Sequence, residues 1–297
     1  MLNKKAQFSI LFSVLLILTG CKDSSSPVIP SIPGVNKGLY ILNEGLFGQN
    51  NSSISFYNYT NDSIYNNLYS IANGGMDLGD TGNDIVISGS TGFIAVSVSN
   101  KIEIIDVNTF KSKGFIDLGA TGAPRRIWAK DSTTIYVTSL AGEVLKLNTI
   151  SKTIEKRIVV GSYPEDIKEQ NGRLFVANSG FGSGNTVTVI NLASETVEKT
   201  IEVGINPVNL VADGIFTVYA VCTGRYDQSD SGGALYKINS NTLNVTDSLI
   251  LTQNPADAVI NSLNEMMIIN NLGVIKVNLT NFSLIPGIFI DGMSVNS

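Results

Sequence analysis

From residue 38 onward the chain alternates apolar and polar positions with a period of two, in short runs rich in Val, Ile, Tyr, Phe and Thr. That spacing predicts strands with at least one buried face. Thr134-Ile-Tyr-Val-Thr138, Val144-Leu-Lys-Leu-Asn148 and Arg173-Leu-Phe-Val-Ala-Asn178 are runs of this kind. Gly, Asn, Asp and Ser punctuate them where turns need such residues. No long stretch carries the apolar spacing of an amphipathic helix.

The runs recur as a unit. Residues 119–161 carry a Gly, then Pro124-Arg-Arg-Ile127, Thr134–Thr138, Val144–Asn148 and Ile154-Glu-Lys-Arg-Ile-Val-Val-Gly161. The next stretch repeats this as Pro164-Glu-Asp-Ile167, Arg173–Asn178, Thr186-Val-Thr-Val-Ile-Asn191 and Val197-Glu-Lys-Thr-Ile-Glu-Val-Gly204. The opening signature returns as Gly82-Asn-Asp-Ile85, Pro207-Val-Asn-Leu210 and Pro255-Ala-Asp-Ala258. Prolines 124, 164, 207 and 255 are thus spaced by 40, 43 and 48 residues. Four short strands in every 42 or so residues is the mark of a β-propeller blade. A single such sheet cannot cover both its faces, whereas blades set radially cover one another.

The predicted fold class is therefore all-β, a β-propeller of four-stranded blades. Six repeats are visible: 38–77, 78–119, 120–161, 162–204, 205–251 and 252–292. The first opens at a second-strand position, with strands near 39–43, 53–58 and 63–71, and lacks an innermost strand of its own. Propellers usually close their ring by lending a terminal strand to the first blade, since open edges invite pairing with other chains. Met293–Ser297 is the stretch left, either for that role or as the first strand of a seventh blade missing from a C-terminally incomplete domain, and the second reading is preferred.

Composition narrows the chemistry. The 297 residues hold no His at all, which removes the usual general base and the usual metal ligand. Catalytic triads, zincins and zinc fingers of ordinary construction are excluded. The formal charge of −5 is the wrong sign for a nucleic-acid footprint. Two Cys are too few for a disulfide scaffold, and Cys222 lies in a strand-like apolar run, as a small buried hydrophobe would. There is no Gly-x-Ser-x-Gly elbow and no phosphate-cradling glycine loop. The chain reads as a binding protein without a cofactor rather than an enzyme; a carboxylate pair drawn from Glu44, Asp84 and Asp166 is the remaining catalytic alternative.

Residues 1–20 read as a signal peptide. Lys4 and Lys5 precede an apolar run, Phe8–Leu18, that is too short to cross a bilayer core of ~30 Å as a helix. Leu18-Thr19-Gly20-Cys21 resembles a bacterial lipobox, which implies cleavage before Cys21 and a lipid on that residue. Residues 21–37, rich in Ser and Pro, form a tether, and 38–297 form the propeller domain. Lys22-Asp23 followed by three serines resembles the export tag of Bacteroidetes surface lipoproteins.

A family resemblance follows from the repeats. Arg173–Asn178, Val187-Thr-Val-Ile-Asn191 and Ile201-Glu-Val-Gly204 resemble YncE-like propellers. Gly38-Leu-Tyr-Ile-Leu-Asn-Glu-Gly45, Asn51-Ser-Ser-Ile-Ser-Phe-Tyr57 and Leu78-Gly-Asp80 resemble surface lipoproteins of Bacteroidetes, BtuG-type corrinoid-capturing propellers among them. The resemblance implies seven blades, one more than the repeats supply. It also implies an outer-membrane, outward-facing protein that takes a corrinoid such as cobalamin beside a TonB-dependent transporter. A protein-interaction or adhesion module is the alternative.

Blade topology sets which loops share a face. Connections from the outermost strand to the next innermost strand, and loops from second to third strand, lie on one rim. The candidate ligand residues are accordingly Asn43, Glu44, Phe47, Asn50, Asp84, Arg126, Tyr163, Asp166, Asn178, Phe181, Asn209, Arg225, Tyr226, Asp257 and Asn271. Amides, carboxylates and guanidinium groups beside aromatic rings suit a large polar ligand. Asp227, Asp230 and Gly232 partly match a calcium loop, but Ile238 stands where the distal Glu belongs, so no metal site is predicted.

Overall fold

The computed structural model describes residues 37–225, 232–251 and 253–291. The lipobox, the tether, Tyr226, Asp227, Asp230 and the stretch Met293–Ser297 lie outside them.

Among the described residues, twenty-three strands form six antiparallel meanders. Blade one has three strands, β1 (Gly38–Asn43), β2 (Ser53–Asn58) and β3 (Ser63–Tyr65). Blade two is β4 (Gly82–Ser88), β5 (Thr91–Val96), β6 (Lys101–Asp106) and β7 (Ser112–Asp117). Blade three is β8 (Pro124–Ala129), β9 (Thr134–Ser139), β10 (Glu143–Asn148) and β11 (Thr153–Val159). Blade four is β12 (Pro164–Gln170), β13 (Arg173–Asn178), β14 (Thr186–Asn191) and β15 (Thr196–Glu202). Blade five is β16 (Pro207–Ala212), β17 (Thr217–Cys222), β18 (Ala234–Asn239) and β19 (Asn244–Ile250). Blade six is β20 (Asp257–Ile260), β21 (Glu265–Asn270), β22 (Gly273–Asn278) and β23 (Ser283–Asp291). The protein is a six-bladed β-propeller, and the innermost strands β4, β8, β12, β16 and β20 pack side by side in order.

Alternation explains the packing. On β13, Leu174 and Val176 face blade three, where they meet Tyr136 and Val144. Phe175 and Ala177 face blade five and meet Val218 and Ala220. A middle strand is thus buried on both faces, and each large apolar side chain contributes about 1.5–3 kcal/mol of burial. Five apolar clusters fill the five junctions between successive blades. Among the described residues no such cluster joins blade six to blade one.

The free faces of those two blades differ. On blade six, Val259, Ile269 and Ile290 are exposed and line a shallow apolar hollow of about 190 Å³ with Met267 and Val274. On blade one, Leu39 and Ile41 share their face with Asn43, whose amide donates to Ser53 Oγ at 3.1 Å and Ser55 Oγ at 2.9 Å.

One local expectation fails. The third strand of blade one was expected over 63–71, but pairing stops at Tyr65. Asn67 is left-handed (φ 54°) and opens a one-turn helix, α1 (Leu68–Ala72). Leu68 and Tyr69 are buried against Phe56 and Phe110, so filling the core beside blade two overrides the strand pattern. No helix among the described residues is long and apolar enough to cross a membrane.

Candidate functional site

Four of the five innermost strands open with the same small irregularity. In blades two to five the pairing of the first two strands slips just after the opening Gly or Pro. This β-bulge re-aims the two residues that follow. The third residue of each opening triplet is Asp84, Arg126, Asp166, Asn209 or Asp257; bulges set the first four and β20 pairs without one, and together they give a mixed ring of acid, base and amide.

Two members of this ring are latches between blades. Asp84 Oδ2 accepts from the Ile127 amide of blade three at 2.8 Å. Asp166 Oδ2 accepts from the Leu210 amide of blade five at 2.8 Å and from Asn209 Nδ2 at 3.2 Å. Asp166 Oδ1 takes the Ile167 amide and Lys168 Nζ. With 2% of its surface exposed, Asp166 holds the ring and is not a rim contact for a ligand, contrary to its sequence assignment. Burial pushes the Asp84 carboxyl above its ordinary range, against the Ile127 amide and the Arg126 guanidinium, which favour the charged form.

Asn178 is also corrected. Its Oδ1 accepts from the Gly161 amide at 3.1 Å, and its Nδ2 donates to Thr186 and Thr188. A Cβ at Gly161 would lie 2.5 Å from that side chain, so the glycine is there for close approach. The amide is saturated and buried, and it serves the fold.

The remaining ring members open onto a cavity of about 440 Å³ at the rim. Arg126, Asn209, Asp257 and Asn271 line it, together with Arg125 and Glu165. Arg125 Nε pairs with Glu165 Oε2 at 2.6 Å, and its Nη1 donates to Asn83 Oδ1 at 2.7 Å. Arg126 donates to the Asn83 carbonyl. Asn271 Nδ2 donates to Asn254 Oδ1 at 3.2 Å. Blades three to six thus each supply polar groups to one opening, with the pair Arg125–Glu165 as its fixed charged wall.

A smaller cavity of about 260 Å³ adjoins it, sharing Arg125, Glu165 and Val208, and reaching Ser179, Phe181 and Asn206. Tyr163 stands beside Phe181, their rings 5.2 Å apart. Asn43, Glu44, Phe47 and Asn50 line neither cavity; Asn50 Nδ2 is held by Asp77 at 3.1 Å. Arg225 is exposed at the end of the described part of its loop. Arg125, Glu165, Asn206 and Asn254, which the same rim connections carry, also line or brace the site. The signal for the first two was the opening triplet itself: a bulge turns its second and third residues together. No group of three His, Cys, Asp or Glu side chains among the described residues is placed to hold a metal ion. Burial pushes the Cys222 thiol up to about 12, so it is an inert core residue.

The profile of a family described as "Domain of unknown function (DUF5074)" matches residues 37–264. The chain belongs to the DUF5074 family. Among curated proteins nothing matches. Among solved structures, this DUF5074 chain is similar to hydrazine synthase of Kuenenia stuttgartiensis, with 20% identity and a TM-score of 0.55. That match covers 66% of this chain and 65% of the other, so the chain spans less than two thirds of that relative. It is also similar to a chain of a mitotic checkpoint complex, with 9% identity, a TM-score of 0.66, and coverage of 87% and 75%. In all, 1556 solved chains match, and likeness this broad and this low in identity carries the fold alone.

Proposed function

We propose that this DUF5074 propeller is a lipid-anchored, extracytoplasmic binding protein that captures a polar nutrient at its rim and hands it to an outer-membrane TonB-dependent transporter. The observation that carries the reading is the rim cavity of about 440 Å³, walled by guanidinium, carboxylate and amide groups from four blades. Such convergence from distant parts of the chain suits a ligand read by several hydrogen bonds at once. A corrinoid is the first candidate, because its periphery presents amide side chains and because the opening of the chain resembles corrinoid-capturing propellers. At this volume the cavity takes the ligand's edge, not the whole molecule. The lipobox supports the anchor through Cys21.

Calorimetry with cobalamin and with neutral glycans tests the reading. Saturable heat is expected, with Arg126→Ala weakening binding at least tenfold. Cells displaying the protein should retain the ligand, and Cys21→Ala should release that capacity from the surface. Absence of heat and of any melting-temperature shift at millimolar ligand would sink the proposal. A protein-interaction module is the second reading, favoured by Leu46 and Phe47, two large apolar residues exposed side by side on the same rim. Co-purification of a protein partner that survives Arg126→Ala but not Phe47→Ser would favour it.

A further inference from the structure

Tyr163 and Phe181 both sit in left-handed backbone, at φ 45° and 55°. That conformation costs an L-residue about 1–2 kcal/mol and is an outlier for a bulky side chain. Both rings are also exposed, Tyr163 by 40% and Phe181 by 80%, so neither recovers the cost through burial. The turns do not require aromatics. The position of Tyr163 is left-handed in four other blades, where Thr81, Ala123, Asn206 and Asn254 occupy it. Phe181 lies between Gly180 and Gly182, both of positive φ.

The two rings are held as a unit. Ser179 is buried, and its Oγ donates to the Tyr163 carbonyl at 3.0 Å while accepting from the Phe181 amide at 3.2 Å. The rings are inclined at 40°, which makes a shallow two-sided cradle rather than a flat plate. Phe181 lines the 260 Å³ cavity, and so does Asn206. Asn206 is 1% exposed, and its Nδ2 has no hydrogen-bond partner. A buried donor without an acceptor costs about 1–3 kcal/mol. Strain, exposed aromatic surface and an unmet donor therefore meet at one place, and folding benefits from none of them.

We propose that this place is a second subsite, next to the rim cavity, that takes a neutral sugar ring. Three features select that chemistry. The inclined rings suit the puckered C–H face of a saccharide better than a flat heterocycle, which stacks on one ring. Arg125 and Glu165 already neutralise one another, so the subsite asks for hydroxyl groups and not for a phosphate or carboxylate. The Asn206 amide needs an acceptor, which a ring or hydroxyl oxygen supplies, and Glu165 can accept from a second hydroxyl. The inference rests on the rim being a ligand site, and it adds the class of ligand that the second cavity reads.

The test is calorimetry of the purified protein with a panel of neutral hexasaccharides (malto-, cello-, manno- and xylo-series) and, separately, with cobalamin. Variants are Phe181→Asn, Tyr163→Asn and Asn206→Asp. Asn is the residue that blades five and six place at the Tyr163 position, so folding is preserved. At least one saccharide should bind the wild type, and Phe181→Asn and Tyr163→Asn should each weaken it tenfold or more. Their melting temperatures should equal or exceed that of the wild type, which a structural role for the rings would not allow. Saccharide binding unchanged in both aromatic variants overturns the subsite. So does cobalamin binding that depends on Arg126 without any saccharide binding; that result leaves the rim reading standing. Silence with every ligand overturns both.

Discussion

At the scale of single residues, one position in the repeat does two jobs. Asp84, Arg126, Asp166, Asn209 and Asp257 occupy the third place of the opening triplet, and the sequence reads them alike as rim candidates. The structure divides them by where the oxygen goes: Asp84 and Asp166 reach the next blade's amide, while Asn209 and Asp257 line the cavity. Periodicity shows the triplet, but the bulge that turns it and the neighbour it meets are set by the radial packing of separate blades. The latch at Asp84 has a pH signature. Its carboxyl is raised above the ordinary 3.8 chiefly by burial, so the folded protein keeps the proton to higher pH than the unfolded chain. The cost of ionising it is absent below the ordinary value and is met as pH rises through the raised one. Asp84→Asn can still accept from the Ile127 amide and does not titrate. Urea denaturation should therefore show the variant gaining on the wild type as pH rises above the ordinary carboxylate value, with no further change once Asp84 is fully ionised in the folded protein. A difference that is flat in pH, or that grows on acidification, would contradict this account of the latch.

At the scale of elements, the outermost hairpin of each blade shows how unlike residues satisfy one backbone demand. Asp62, Phe110, Lys152, Glu195, Leu243 and Phe282 precede the outermost strand of the six blades, and all are left-handed, with φ between 50° and 57°. Not one is Gly. Asp106, Asn148, Asn191, Asn239 and Asn278 close the preceding strands, and each side chain caps two amides of its turn. These Asx turns were legible in the Asn and Asp spacing, and they are structural. The left-handed residue was not legible, because its side chain is chosen by tertiary contact: Phe110 and Leu243 are buried, while Lys152 is exposed. The same substitution should then have opposite signs. Lys152→Gly relieves the backbone at small loss and should stabilise by about 0.5–1 kcal/mol. Leu243→Gly relieves the same strain but empties a site packed against blade four's core, and should cost about 2–4 kcal/mol. Chemical denaturation of both variants checks the pair, and a stabilised Leu243→Gly would show that the turn, not the core, governs this residue.

At the scale of the whole molecule, blade six offers the sharpest contrast. Glu265-Met-Met-Ile-Ile-Asn270 is apolar on both faces, like the middle strands of the inner blades, so the pattern alone predicts cover on both sides. Met266 and Ile268 have it, packed against Tyr219 and Val221 of blade five. Ile269, one residue on, points the other way and is 52% exposed, over the hollow shared by Met267, Val274 and Ile290. The pleat therefore places two chemically identical residues, neighbours in the chain, in opposite environments. Ile268→Ala removes buried methyl groups from a filled junction and should cost about 2–5 kcal/mol. Ile269→Thr keeps a β-branched side chain on an open face and should stay within about 0.5 kcal/mol of the wild type. The comparison reads the junction itself. Equal, large costs at both positions would mean that the outer face of blade six is packed in solution as firmly as the inner one, and would overturn an arrangement in which, among the described residues, five junctions carry the apolar core.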